Sequence, residues 1–420
     1  MGQTLAEKII SRHTESGRAV AGEIVEVSVD LLMVHEVLGS RIIPILREMG
    51  SPPVWAPEKV LIVNDHWAPA SDIQSAKIHQ RNRAFAREQN IRLCDVDCGI
   101  SHQVLPEMGL VKPGDLIIGS DSHSTTYGAF NVFSTGLAAT DCAIILATGK
   151  CWLRVPESLR IQVDGPLGPR VMSKDLILKL LGDTGPDGAN YLSMEYHGST
   201  IAGMSIDSRM TITNMSVEAG AKCGLMTVNQ SVERWLEKHS SGRPWAPVEP
   251  DSDAEYVDEI HIDLNDEPLE PMVALPHSPA NVRPVSEVGD VKIDQAFIGS
   301  CTNGRLEDLE IATQILEGSR VHPDVRLIVT PASRRTYIDA LDAGYIAALM
   351  RAGAIVTNST CGACVGGHLG VLGPGDVCIS STNRNFRGRM GHPDSLVYLG
   401  SPATVAASAL KGRITDPREV

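Results

Sequence analysis

Residues 359–368 read Ser359-Thr360-Cys361-Gly362-Ala363-Cys364-Val365-Gly366-Gly367-His368, and the chain soon runs into Asn383-Arg384-Asn385-Phe386-Arg387-Gly388-Arg389. Cys361 and Cys364 stand three apart between small residues, so both thiols can turn to one point while the glycines let backbone approach closely. Upstream, Phe297-Ile298-Gly299-Ser300-Cys301-Thr302-Asn303-Gly304 offers a third cysteine where an apolar run meets a helix start. Three convergent thiols followed by Arg384, Arg387 and Arg389 point to an inorganic cofactor beside an anion site. Alone, the Cys-x-x-Cys pair fits zinc, redox and iron–sulfur chemistry equally. Zinc wants a fourth donor such as His368, and a redox pair has no need of Cys301. Three cysteines without a fourth favour an iron–sulfur cluster with one iron left open as a Lewis acid.

Outward from this stretch, strands and helices alternate. Strands are expected over 296–298, 325–330, 354–356 and 377–379, with helices over 305–316 and up to 349. The last helix is capped by Ser401 and opens on Pro402. From about 240 to 285 the composition shifts to Pro, Asp, Glu and Ser, which predicts long loops and a linker with one strand near Ile260-His261-Ile262. Before it, 156–239 holds a strand over 159–163, a helix over 175–181, and Asn214 and Glu218 four apart. Those two share a face if the segment is helical. The apolar neighbours of Glu218 predict burial, and a buried carboxylate needs a partner or a task.

The N-terminal part repeats one pattern. A helix over 4–12 is followed by β-structure over 24–34 that ends at His35-Glu36. Lys59-Val60-Leu61-Ile62-Val63 empties into Asn64-Asp65-His66. A helix opened by Ser71 and Gln74 leads to the strand Ile91-Arg92-Leu93, then to His102. Leu116-Ile117-Ile118-Gly119 empties into Ser120-Asp121-Ser122-His123, and an Ala-rich helix over 137–148 closes the unit. Short continuous apolar runs are the mark of buried parallel strands, whose C-terminal ends carry ligand-handling residues. A single His or Asp there is ordinarily a turn residue. Four such ends in one sheet predict a shared site. Cys94 and Cys98 read as packing, and Cys142, Cys151, Cys223 and Cys378 as small buried hydrophobes.

The chain's 420 residues suit two or three domains. Its net charge of −14 argues against a broad nucleic-acid or anionic-membrane surface and confines any anionic ligand to a locally basic pocket. No apolar run approaches the roughly 20 residues of a membrane span, and the N-terminus lacks a signal-peptide core. Nine irregularly spaced cysteines are not a disulfide framework and fit a reducing cytoplasm.

Taken together, Asp65-His66, Gly99-Ile-x-His102-Gln, Gly119-Ser-Asp121-Ser122-His123, Asn214-Met-x-Val-Glu218, Gly299-Ser-Cys301-Thr-Asn, Cys361-Gly-x-Cys364-x-Gly and Asn383-Arg384-Asn-Phe-x-Gly-Arg389 resemble the aconitase superfamily. Within it the resemblance is to the stand-alone large subunits of isopropylmalate and homoaconitate dehydratases. The motifs occur in family order over nearly the whole chain. The resemblance implies three tandem α/β/α domains, over 1–155, 156–285 and 286–420, around a central cleft. There a [4Fe-4S] cluster would be held by Cys301, Cys361 and Cys364. It implies reversible dehydration and rehydration of a hydroxy di- or tricarboxylate, with isopropylmalate isomerisation in leucine synthesis as the leading expectation. Homoaconitate, citramalate and dimethylmalate are the alternatives.

The same resemblance makes Asp65, His66, His102, Asp121, His123 and Glu218 catalytic. It makes His35, Ser122, Asn214, Asn383, Arg384 and Arg389 substrate-binding. It further implies a separate small subunit of the swivel-domain type that carries the base for the carbon-bound proton. Several family members have His-Asp where this chain has His35-Glu36, a departure that leaves Glu36 without an assigned role. Two readings from other classes are an RNA-binding regulator, which the −14 charge opposes, and a zinc-structured binding module.

Overall fold

The computed structural model describes residues 2–240 and 242–420. Three parallel or largely parallel sheets follow one another along the chain. The first has the order Arg92–Cys94, Val60–Val63, Leu31–His35, Leu116–Gly119, Phe133–Gly136, parallel throughout. Its strands are short, and both faces are packed against apolar clusters. Leu32, Val34, Ile62 and Ile118 point into one apolar cluster, while Leu31, Met33, Leu61 and Ile117 point into another. Such period-two alternation between two cores is why these strands read as unbroken apolar runs. The expected strand over 24–34 is two elements. Ile24–Ser28 leaves the sheet to pair antiparallel with Lys150–Arg154, and Leu31–His35 joins the sheet. Asp30 marks the break, its carboxylate accepting the Leu116 backbone N–H.

The second sheet is parallel as well: Cys223–Met226, Ser193–His197, Ser158–Asp164 and Asp258–Asp263. The third has seven strands, in the order Val282–Pro284, Met272–Ala274, Leu396–Gly400, Val377–Ser380, Gln295–Gly299, Arg326–Thr330, Ile355–Val356. Its first two strands lie in the stretch expected to be loop and linker. They hydrogen-bond into the third sheet, where Val273 and Ala274 pair with Gly400 and Leu399. Each is three residues long, too short to show a period in the sequence.

Helix starts follow local chemistry. Thr4 and Glu7 form a reciprocal cap on Leu5–Ser11, and Ser401 caps Pro402–Lys411. The cap of Ile73–Glu88 is Asp72 with Ser75, one residue on from the expected Ser71. Asn214 lies in the last turn of the α-helix Ile206–Met215, whereas Glu218 sits in the 3-10 turn Ser216–Ala219 that follows. The described residues contain no helix long and apolar enough to cross a membrane.

Candidate active site

The C-terminal ends of the first sheet deliver the acid–base groups. His35 ends the strand Leu31–His35, Asp65 and His66 follow Val60–Val63, and Asp121–His123 follow Leu116–Gly119. His102 differs from expectation: it is the second residue of the short helix Ser101–Glu107, not a strand end. That helix is fixed by Asp65, whose Oδ2 accepts the Ser101 N–H at 2.8 Å.

Three histidine–carboxylate pairs result. His66 Nδ1 lies 2.7 Å from Asp65 Oδ1, His102 Nε2 lies 2.9 Å from Asp121 Oδ1, and His123 Nε2 lies 2.8 Å from Glu218 Oε1. Burial alone would raise the carboxyl pKa values. For Asp65 the charge and hydrogen bond of His66 overcome it and hold the acid ionised. For Asp121 the bonds from His102, His123 and His66 do the same. Glu218 is also pulled below its ordinary range, against burial, by His123 and Arg384. Burial opposes a charge on His66 too, but Cys361, Asp65 and Asp121 raise its proton affinity above that of a free imidazole.

The thiols come from the third unit. Cys301 follows the strand Gln295–Gly299 through Ser300, which is held at φ 72°, a conformation costly for a residue with a side chain. Cys361 caps the 3-10 turn Gly362–Val365 and Cys364 lies within it, where Gly362 supplies φ 49°. All three cysteines are buried. Asn214 Nδ2 donates to Cys301 Sγ at 3.3 Å and Asn383 Nδ2 at 3.5 Å, while Cys364 Sγ faces Asn383 Oδ1 at 3.8 Å. Backbone ties the two halves of the site: the Cys361 N–H donates to the Asp65 carbonyl at 2.9 Å.

One pocket is walled by Asp65, His66, His102, Asp121 and His123 on one side and by the three cysteines, Asn383 and Arg389 on the other. A larger hollow of about 580 Å³ lies by the N-terminal helix, but its lining has no histidine or cysteine. The remaining expected residues stand behind the wall. His35 stacks on the His66 ring at 4.4 Å, with Nε2 2.9 Å from the Ser120 carbonyl oxygen. Arg384 is committed to Glu218 at 2.8 Å and to Ser122 Oγ at 3.0 Å. Arg389 lines the pocket with its buried Nε unpartnered among the described residues.

The donor set discriminates between metals. Three thiols on one ion with tetrahedral Zn–S bonds of about 2.3 Å would crowd within about 4 Å of one another. Among the described residues no cysteine group has its ligand atoms mutually within 4.8 Å, with or without His368.

Glu36 was missed by sequence reasoning. Its carboxylate, fully buried, accepts backbone N–H groups of Asp65 at 3.1 Å, His66 at 2.6 Å and Trp67 at 2.8 Å. The only signal was an acid directly after His35 at a helix start.

The fold and the pocket define a class: a three-sheet α/β protein with paired histidines and carboxylates facing a three-thiol centre. The model of the aconitase family (aconitate hydratase) matches residues 7–291 and 283–412. The chain belongs to that family. It is 49% identical over 419 residues to the 3-isopropylmalate dehydratase large subunit 1 of Methanopyrus kandleri, covering 100% of this chain and 99% of that one. Against the 3-isopropylmalate dehydratase large subunit of Aquifex aeolicus the identity is 47%, covering 100% and 98%. A probable methanogen homoaconitase large subunit of Methanothermobacter thermautotrophicus is 48% identical, covering 99% and 97%. The crystal structure of Thermococcus kodakaraensis aconitase X is similar at a TM-score of 0.51 and 13% identity, over 86% of this chain and 84% of that one, which is a likeness of fold.

Proposed function

We propose that this chain is the cluster-bearing large subunit of a hydro-lyase that interconverts 2- and 3-isopropylmalate, as in leucine synthesis. One observation carries the reading: three histidine–carboxylate pairs and the unpartnered Arg389 converge on a pocket walled by three thiols. Cys301, Cys361 and Cys364 would hold a [4Fe-4S] cluster, which when bound supplies a Lewis acid for the substrate hydroxyl. Arg389 takes a substrate carboxylate, for which a guanidinium fork is suited. Arg384, fixed by Glu218 and Ser122, presents its remaining donors to a second. His66 holds a proton on the pocket side, ready for a departing hydroxide, with Asp65 fixing its ring. His102 and His123 keep defined orientations through Asp121 and Glu218.

The relatives are named large subunits, which supports a small partner, here of the swivel-domain type, bringing the base for the carbon-bound proton. Nine free cysteines suit a reducing compartment, the cytoplasm. The homoaconitase-named relative supports a second substrate reading at nearly the same identity.

The test is anaerobic reconstitution, followed by assays on isopropylmalate, homoaconitate, citramalate and dimethylmalate with a co-expressed small subunit. We expect iron and sulfide in the wild type and their loss in Cys301→Ser, with turnover of isopropylmalate above the others. Metal content unchanged by Cys301→Ser would sink the three-thiolate reading. A preference for homoaconitate would move the protein to the second reading.

A further inference from the structure

Two cations lie wholly inside the protein next to the thiols, and the acid–base layer uses neither. Lys174 is 0% exposed and Arg305 1%. Lys174, in the helix Ser173–Thr184, donates from Nζ to the carbonyls of Ser381 at 2.8 Å and Thr382 at 2.6 Å. Arg305, at the start of the helix Leu306–Leu316, donates to the carbonyl of Thr302 at 2.6 Å, to that of Cys301, and to Gln103 Oε1 at 3.1 Å. Every one of these acceptors is neutral. No carboxylate among the described residues pairs with either cation within 4.0 Å. Asp308 and Asp175 face Lys174 from further off, and Asp207 and Asp308 face Arg305. Asp175 accepts N–H groups of Met172 and Met272; Asp308 accepts those of Arg305 and the Asn303 amide.

Burial pushes Asp175, Asp207 and Asp308 up to about 7 and Lys174 down to about 7, so these carboxyls offset the two cations only in part and a full charge on Lys174 calls for a further anion. The hydrogen-bond chain shows where it is. Thr382 precedes Asn383, which bonds Cys301 Sγ and meets Cys364 Sγ, and the carbonyls under Arg305 belong to the Cys301 loop itself. Both sulfurs lie within the field of Lys174, and Cys301 within that of Arg305. Cysteines that bind metal do so as thiolates, so a loaded centre brings further negative charge to the two cations.

We propose that Lys174, backed by Arg305, is a built-in counter-charge for a thiolate-held iron–sulfur centre and the positioning residue of the turn that carries Asn383 and Arg384. This rests on the reading that Cys301, Cys361 and Cys364 hold such a centre. A fixed cation favours the more negative, reduced state, so Lys174 sets the reduction potential higher than the thiolates alone would.

The test compares anaerobically reconstituted wild type, Lys174→Gln, Lys174→Arg and Lys174→Met, reading iron and sulfide per chain, midpoint potential and KM. Gln keeps N–H donors for the two carbonyls without the charge, and Arg keeps the charge. Expected is a wild-type potential in Lys174→Arg. In Lys174→Gln, about a tenfold fall in the reduced-to-oxidised ratio at fixed potential is expected, which is about 59 mV for one electron. Met, lacking charge and donors, should also raise KM. If Met prevents folding, Gln and Arg decide between them. Wild-type iron and potential in Lys174→Gln would overturn the inference, as would a Lys174→Arg indistinguishable from a shifted Lys174→Gln. A wild type that takes up neither iron nor sulfide overturns the thiolate reading itself and removes the ground for this one.

Discussion

At residue scale the site is built by buried charges that touch nothing reactive. Glu36 is the clearest case: one carboxylate collects three successive backbone N–H groups and so fixes the turn that aims Asp65 and His66. Hydrogen bonds to a buried charge are each worth about 1.5–3 kcal/mol, and neutral glutamine has one acceptor oxygen for three donors. Glu36→Gln should therefore move His66 without removing it. We expect kcat to fall by about 10² through misplacement alone, with KM little changed and partial recovery in Glu36→Asp. Steady-state kinetics on the reconstituted complex check this, and an unchanged kcat would reduce Glu36 to architecture. Sequence reasoning found the residues that meet the pocket because His and Asp recur at successive strand ends and the cysteines fall in Gly-rich motifs. It could not find Glu36 or Lys174, whose partners are backbone groups many residues distant, nor Arg305, which bonds the carbonyls of Cys301 and Thr302. A pairing with a carbonyl or an N–H leaves no mark in the partner's side chain.

At element scale the strands act as rulers. Leu116–Gly119 is buried at all four positions, and its last step places Ser120 and Asp121 at the sheet edge, where Asp121 collects His102 and His123. That much was legible, since a short apolar run followed by Gly-Ser-Asp has few other readings. The position of His102 on a helix was not, because the bond fixing that helix comes from Asp65, 36 residues earlier. The three-residue strands Met272–Ala274 and Val282–Pro284 were equally hidden. Met272 is anchored by its N–H to Asp175, a tertiary contact, and not by any local preference. Ile118, fully buried in the first core, tests the ruler. Ile118→Ala should cost about 2–5 kcal/mol, read as a lowered denaturant midpoint in the cluster-free chain. A change under about 1 kcal/mol would mean the strand relaxes around the cavity.

At the scale of the whole molecule the site is a meeting of all three sheets. His123 follows the first, Glu218 precedes a strand of the second, and Arg384 follows a strand of the third, so Glu218 joins the three through bonds of 2.8 Å on either side. Its side chain is almost wholly buried, which makes removal of its charge costly: leaving Arg384 without its partner should cost roughly 3 kcal/mol. The pH dependence has a definite sign. The folded-state pKa of Glu218 is depressed, because His123 and Arg384 outweigh burial. Its contribution is therefore fully present above the unfolded value of 4.5 and is lost as pH falls through the lower folded value. Glu218→Gln should thus unfold at lower denaturant than wild type at pH 7. The gap should narrow steadily below about pH 4.5, as wild-type Glu218 takes up the proton whose effect the glutamine already imitates. A gap that stayed constant over that range would show that the three sheets are held together by packing and that the ion pairs serve chemistry alone.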